Sequence, residues 1–224
     1  PGLGFYIKAL YGMAFKPPSL HDLYYFRRDA FYGDPALEPE LSSTGELQVG
    51  YRHGQTLDIR LSAYHLLIRD LIGYQQQEAG DSLDRSAAFP SSQLPSPGAG
   101  YSQKANSGKI RSTGAELEIR VGRGPLNVQA DATLRRVSKQ ISGGSWETLD
   151  YGSAFVAGAS VGYDLLSNVS LFLEGRYFGE RSVPARGFSS PGAPVTWTKE
   201  DDPTTSAPAY VDASMTLRAR RVIL

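Results

Sequence analysis

Residues 115–121 read Ala-Glu-Leu-Glu-Ile-Arg-Val, apolar and charged side chains in strict alternation. Period two marks a strand whose two faces meet different surroundings, because successive side chains of an extended chain point to opposite sides. The same alternation recurs and predicts eight strands. The first, over residues 4–15, sets Phe5, Ile7, Ala9, Tyr11, Met13 and Phe15 against Lys8. The second, over 44–52, sets Leu47, Val49 and Tyr51 against Glu46, Gln48 and Arg52. The third begins near Thr56, opposes Leu57, Ile59 and Leu61 to Asp58, Arg60 and Ser62, and is expected to reach Ile72. Within it, Tyr64-His65-Leu66-Leu67-Ile68 blurs the parity and suggests a bulge. The fourth covers 109–121, and the fifth opposes Leu126, Val128, Ala130, Ala132 and Leu134 to Asn127, Gln129, Asp131, Thr133 and Arg135. The sixth, over 152–164, is rich in small residues and ambiguous in parity. The seventh opposes Val169, Leu171 and Leu173 to Ser170, Glu174 and Arg176, with Phe172 on the polar side, and the eighth opposes Val211, Ala213, Met215 and Leu217 to Asp212, Ser214, Thr216 and Arg218.

The connections alternate in length as regularly as the strands alternate in polarity. Residues 53–55, 122–125 and 165–168 are tight turns, whereas 16–43, 73–105, 139–151 and 182–208 are long excursions. In an up-and-down sheet every second connection falls on the same edge, so the tight turns share one rim and the long loops the other. An outer-membrane β-barrel has this asymmetry, with short periplasmic turns and long extracellular loops. The period-two pattern alone leaves two environments open. A soluble sandwich would turn its apolar face inward; a membrane barrel would turn it to lipid and its polar face to the lumen. Strand length, mid-strand charges of both signs and the asymmetry of the rims favour the barrel.

Composition narrows the function without naming it. Lys plus Arg equals Asp plus Glu at 23 each, so no basic excess points to nucleic acid. Cysteine is absent, which excludes disulfides and thiolate metal sites. His21, His53 and His65 lie far apart with no carboxylate at ligand spacing, so no metal site is assigned. Gly122-Arg123-Gly124-Pro125 is a turn and not a phosphate loop, since no helix pattern follows it. No arrangement of Ser, His and Asp, of Cys and His, or of paired carboxylates suggests catalysis, and no cofactor is expected.

The loop bases carry the most specific residues. The first strand ends in Tyr11-Gly12-Met13-Ala14-Phe15-Lys16-Pro17-Pro18, and the chain returns through Gly33-Asp34-Pro35-Ala36-Leu37-Glu38-Pro39-Glu40. Pro17 and Pro18 end the ladder because proline has no N–H to donate, and the residues before Pro35 and Pro39 are held extended. Further on come Ile68-Arg69-Asp70-Leu71-Ile72, then Asn106-Ser107-Gly108 leading to Gly114-Ala115-Glu116-Leu117-Glu118, then Tyr177-Phe178-Gly179-Glu180-Arg181 and Tyr210-Val211-Asp212. In order and spacing these resemble the C-terminal barrel half of TonB-dependent outer-membrane receptors, over nearly the whole chain. Asp34 stands where Asn is commoner and Gly45 where an aromatic is frequent.

The resemblance implies an all-β fold: an antiparallel up-and-down transmembrane barrel segment of about eight strands from a barrel of about 22. It further implies that residues 1–224 are one partial barrel domain, with plug, TonB box, first strands and last strands outside it. It implies a cell outer-membrane location and active uptake of a scarce solute such as an iron–siderophore or cobalamin. Its implied partners are outer-membrane lipid and, through the missing N-terminal region, the TonB–ExbB–ExbD system. An enzyme is not expected. Two other readings stay in view: a complete eight-stranded structural or adhesion barrel, and a secreted β-sandwich binding module.

Within this frame the site candidates fall into two groups. Tyr24, Tyr25, Phe26, Arg27, Arg28 and Tyr32 sit on the first long loop, Tyr101 on the second and Trp197 on the last. Aromatic and Arg side chains are the usual anchors of a binding surface, although they could equally pack the loops or form an aromatic girdle. Arg60, Glu116, Glu118, Arg120, Glu174 and Arg176 alternate on polar faces and are expected to face the lumen, as structural charges that pair across the wall or face the plug in preference to Glu116, Glu118 and Arg120 forming a substrate path.

Overall fold

The computed structural model describes residues 3–78, 89–141, 143–149, 152–184 and 204–219. Its strands, in chain order, are β1 (Leu3–Lys16), β2 (Phe26–Arg27), β3 (Phe31–Tyr32), β4 (Glu40–His53), β5 (Leu57–Gln77), β6 (Tyr101–Arg123), β7 (Leu126–Ile141), β8 (Glu147–Thr148), β9 (Phe155–Leu166), β10 (Val169–Phe178), β11 (Arg181–Pro184), β12 (Thr204–Ala207) and β13 (Tyr210–Ala219). One short helix, α1 (Leu20–Tyr24), lies in the first long loop. Eight of these strands pair antiparallel in the order β1-β4-β5-β6-β7-β9-β10-β13. These are the eight that alternation predicts.

Tight turns after β4, β6 and β9 lie on one rim, and the long connections lie on the other. Gly54 and Gly124, with φ of 57° and 56°, take the left-handed conformation that two of those turns require. Among the described residues no ladder joins β1 to β13, so the sheet is open and the closed eight-stranded reading does not hold. The sandwich reading fails too, because among the described residues no second layer covers the apolar face. Phe5 is 81% and Met215 72% exposed, and the buried hydrophobic residues, Tyr32, Leu37, Phe89 and Tyr101, all lie in or beside the loops. An apolar sheet face without a protein core beneath it is what lipid contact demands. Among the described residues no helix is long and apolar enough to cross a membrane.

Two boundaries differ from expectation. β5 runs on to Gln77 and β6 starts at Tyr101, so both ends of the stretch read as loop at 73–105 belong to a two-stranded extension of strands 21 and 23 residues long. A span needs only about 9–11 residues, and the extension therefore projects beyond the bilayer. The irregularity expected around Tyr64–Ile68 falls later: the β5–β6 register is regular up to Ile68 and shifts between Ile68 and Leu71. Asp70 sits there with φ of 57°, a conformation Asp adopts more readily than most side chains.

Tyr64 and Phe172, which disturb the alternation on paper, have one explanation. Each lies on the polar face directly opposite a glycine, Tyr64 across from Gly114 and Phe172 across from Gly162, and Tyr6 faces Gly50 in the same way. In each pair the ring occupies the space a Cβ on the glycine would need. These rings fill the surface left bare by their partners, so they belong to the polar face without breaking its register.

Candidate functional site

Two regions gather the chemistry: the long-loop rim and the polar face. At the rim, Ser19 caps α1 by accepting from Asp22 N at 3.1 Å, while the Asp22 carboxylate accepts from Ser19 N and Oγ at 3.1 and 2.6 Å. This reciprocal box satisfies donors that a helix start leaves open. Lys104, from the projecting part of β6, reaches Asp22 at 3.1 Å and stacks over Tyr74 at 4.1 Å. The Ser19 hydrogen bonds, with Lys104 adding to them against the opposing effect of burial, hold the Asp22 carboxyl at a pKa of about 2.

After α1 the chain forms the β2–β3 hairpin, and β3 adds in parallel to β6 with Phe31 opposite Ser102 and Tyr32 opposite Gln103. Asp29, at the hairpin turn, accepts from both Ser96 N (2.6 Å) and Ser96 Oγ (2.9 Å) of the second long loop. Those bonds hold its carboxyl below the usual range. Tyr32 is 0% and Tyr101 2% exposed. Their rings meet edge to face at 5.3 Å, Phe89 packs on Tyr32 at 5.8 Å, and Tyr32 Oη donates to Gln93 O at 2.9 Å. Burial raises the Tyr32 pKa. The two loops thus share one small core.

The rim candidates therefore separate. Tyr32 and Tyr101 are that core and present no surface, so any effect they have on a ligand passes through loop shape. Tyr24, Tyr25, Phe26, Arg27 and Arg28 are exposed, Tyr24 at 55%. His21 stacks on Tyr25 at 4.3 Å, and Phe26 touches Phe89 at 6.4 Å between ring centres. Trp197 lies outside the described residues.

On the polar face the ladder brings distant charges into line. One cross-strand row runs Tyr6, Gly50, Arg60, Glu118, Asp131, Gly158, Arg176, Asp212. The next runs Gly4, Arg52, Asp58, Arg120, Gln129, Ser160, Glu174, Ser214. Arg60, Glu118, Arg120, Glu174 and Arg176 all fall in these two rows, and Glu116 falls one row further toward the loops, opposite Ser62 and Thr133. The charges interlock. Arg52 meets Asp58 at 2.7 Å, Arg60 meets Asp58 at 3.3 Å and Glu118 at 3.2 Å, and Arg120 also pairs with Glu118. Glu174 and Arg176 make a looser contact at 3.9 Å, too far from the others to join them. A recess of about 470 Å³ opens here, lined by Lys8, Arg52, Asp58, Arg60 and Arg120 among others.

Several organising residues escape a reading of the sequence: Asp22, Asp29, Ser96 and Lys104 act across 67 or more residues of separation, whereas Asn106, noted there only within a motif, proves to bind Glu38 across 68. Two of them leave a local signal: Asp22 stands three residues after Ser19 in a capping-box pattern, and Asp29 is a residue type that tolerates a turn with positive φ. No group of three or more metal-ligating side chains occurs among the described residues.

With this geometry in place, comparison with known proteins gives one family. The model for the TonB-dependent receptor-like β-barrel matches residues 4–220, and the chain belongs to that family. It is an outer-membrane chain, of a family of transporters and not of enzymes. Among solved structures it is similar to the FrpB iron transporter of Neisseria meningitidis (15% identity, TM-score 0.64, 96% of this chain and 30% of that one). It is similar also to the ferric enterobactin receptor PfeA of Pseudomonas aeruginosa (16%, 0.66, 96% and 30%) and to the copper transporter OprC (15%, 0.62, 97% and 29%). At such identities these likenesses show the fold alone. The chain spans about 30% of the length of each. No curated protein sequence matches it.

Proposed function

We propose that this chain is a partial barrel domain of a receptor that takes up a scarce metal chelate or a similarly bulky solute through the outer membrane. The observation that carries this reading is the composite rim: two long loops locked by Asp29–Ser96 and a shared Tyr32–Phe89–Tyr101 core, presenting Tyr24, Tyr25, Phe26, Arg27 and Arg28 outward. A rigid platform with exposed aromatic and guanidinium groups suits capture of a large, rigid, anionic or aromatic ligand, because little ordering entropy is lost on binding. An iron–siderophore with carboxylate or catecholate groups fits this chemistry better than cobalamin, whose periphery is mostly neutral amides with a single phosphodiester for Arg27 and Arg28 to engage. The solved relatives named for iron and for copper support a metal-linked cargo without fixing it.

Arg60, Glu116, Glu118, Arg120, Glu174 and Arg176 then line the lumen. The pairing of Arg60 and Arg120 with Glu118 and of Arg176 with Glu174, and the balance of three cations against three carboxylates, leave the wall polar yet nearly neutral, which lets a charged cargo pass without being held. Plug, TonB box and the remaining strands lie outside this chain in this reading, and energy reaches the cargo path through TonB–ExbB–ExbD. The test is growth of a strain lacking the receptor under iron limitation with ferric enterobactin or ferripyoverdine as sole iron source, and separately under cobalamin limitation. A defect restricted to one iron chelate, restored by the intact receptor but not by its Y24A/Y25A/F26A/R27A/R28A variant, is expected. Normal growth in every condition overturns the reading.

A further inference from the structure

The apolar face of the sheet changes character at its loop end. The row Ala63–Ala115–Leu134 still belongs to the apolar band. The next row toward the loops is His65–Thr113–Arg136, and the one after it Leu67–Arg111–Ser138. Beyond these come Arg69, beside Leu41 of β4, and Lys109, opposite Gln140 of β7. Four cations, Arg69, Lys109, Arg111 and Arg136, thus occupy neighbouring outward positions of three strands, and no Asp or Glu shares those positions. Of the nearby carboxylates, Asp70 belongs to the bulge and Glu147 is laddered to Lys139, on the other parity.

None of the four cations is in an ion pair among the described residues. Arg69, Lys109 and Arg136 are exposed, and Arg136 donates to Thr148 Oγ1 at 3.1 Å. Arg111 is half-buried, its guanidinium 4.3 Å from the Trp146 ring centre. A recess of about 290 Å³, lined by Asp70, Ser107, Lys109 and Gln140 among others, adjoins them. A guanidinium that is partly desolvated, fixed by an indole and given no carboxylate is completed by an anion from outside the chain. Among the described residues of β5, β6 and β7, the turn rim of the same face offers a single cation, Arg123.

The geometry points to an outward docking surface, formed by Arg69, Lys109, Arg111 and Arg136, for the phosphorylated headgroup of an outer-leaflet lipid. Position selects this occupant over a dissolved anion. The four cations stand where the apolar band of β5, β6 and β7 ends, and the same cross-strand rows continue through β4 to exposed Tyr11, Met13 and Phe15 of β1. Clusters of basic side chains at that level read anionic headgroups, and Arg suits phosphate through its forked donors. The surface depends only on the outer-membrane location and is independent of the uptake reading.

The test uses the full-length receptor containing this chain, refolded or purified in detergent and placed in phosphatidylcholine nanodiscs. These are doped with bisphosphorylated lipid A or with its dephosphorylated form, and bound lipid is counted by native mass spectrometry. The receptor is expected to retain the phosphorylated lipid and not the dephosphorylated one, and excess inorganic phosphate is expected to leave it bound. R69Q/K109Q/R111Q/R136Q should retain at least about tenfold less, since each juxtamembrane cation adds a comparable increment. K139Q, on the opposite face of β7, should match the unsubstituted receptor. Heat-modifiable mobility verifies folding; if the quadruple variant fails to fold, R69Q/K109Q, confined to exposed positions, should still lower retention about threefold. Equal retention of both lipids, displacement by inorganic phosphate, or unchanged retention in the folded variant overturns the proposal.

Discussion

Asn106 holds the backbone of Glu38 from both sides: its Oδ1 accepts from Glu38 N at 2.8 Å, and its Nδ2 donates to Glu38 O at 2.9 Å. The same Nδ2 also donates to Asp70 O at 2.8 Å, in the bulge of β5. Two residues on, the Glu40 carboxylate accepts from Ile72 N at 3.0 Å. Three separate stretches of the sequence therefore meet at the base of the first two long loops: Asp34–Glu40, Arg69–Ile72 and Asn106. The clamp explains why an irregular segment and a bulge sit directly above a regular ladder. Their unpaired backbone groups are satisfied by one side-chain amide.

Removing that amide leaves three backbone groups without partners. N106A is expected to destabilise the folded receptor by about 1 kcal/mol, chiefly because the part-buried Asp70 carbonyl loses its hydrogen bond while the exposed Glu38 groups can turn to water. Hydrogen exchange should rise at residues 34–40 and 70–72 while β7, β9 and β10 stay protected. Unchanged exchange at 34–40 would show that the prolines alone fix the segment.

Glycine opposite an aromatic ring makes a second prediction. A Cβ on Gly114 would come within 2.6 Å of the Tyr64 ring, whereas nothing lies within 4 Å of Gly45. G114A is therefore expected to cost about 1–3 kcal/mol by overpacking, and G45A almost nothing. Unfolding in urea, followed by gel mobility of the folded form, separates the two. Adding Y64A to G114A should recover part of the loss; if it deepens the loss instead, the ring is not what the new methyl meets.

The contrast between strand and loop also measures what a sequence discloses. Alternation exposes β4, β6, β7 and β13 because each ladder position is fixed by its neighbours one strand away, and a slip would turn every side chain to the wrong face. The small-residue strand β9 is opaque alone, but pairing Ala130 with Ala159 and Ala157 with Ala132 fixes its parity. The two charge rows are half legible. That Arg60 and Glu118 share a face follows from parity, while their contact across 58 residues follows from register. The loop core is illegible for a physical reason. Tyr32, beside Phe31, has an aromatic neighbour as exposed Tyr24 and Tyr25 do, Tyr101 follows Gly100 with nothing apolar beside it, and only the docking of one loop on another decides which rings are buried.

That distinction is testable. Y32A should open a cavity in the shared loop core, costing about 3–5 kcal/mol of local stability as large aromatic deletions do, and should release both loops to protease. Y25A should leave the protease pattern unchanged and alter ligand capture alone. Equal protease resistance of the two variants would mean that Asp29–Ser96 and the β3–β6 ladder suffice to hold the rim.

The Asp22–Lys104 tie gives the rim a pH dependence with a definite sign. The Asp22 carboxyl titrates at about 2 when the loop is folded, against 3.8 when it is not, mainly through its bonds to Ser19 and then through Lys104. A depressed carboxyl contributes its full stabilisation above the unfolded value and loses it as pH falls through the folded one. The tie should therefore be intact at pH 5 and above, weaken below about pH 4 and be gone near pH 2. Pepsin, active across that range, is the probe: cleavage within 19–34 should rise steeply as pH drops from 4 to 2 in the receptor. In D22N the carboxylate is missing at every pH, so cleavage there should be raised already at pH 4 and vary little below it. K104A should shift the rise to higher pH without abolishing it, because Ser19 still holds the carboxylate. A D22N profile superimposable on that of the receptor would show that the loop is anchored by the hairpin and not by α1.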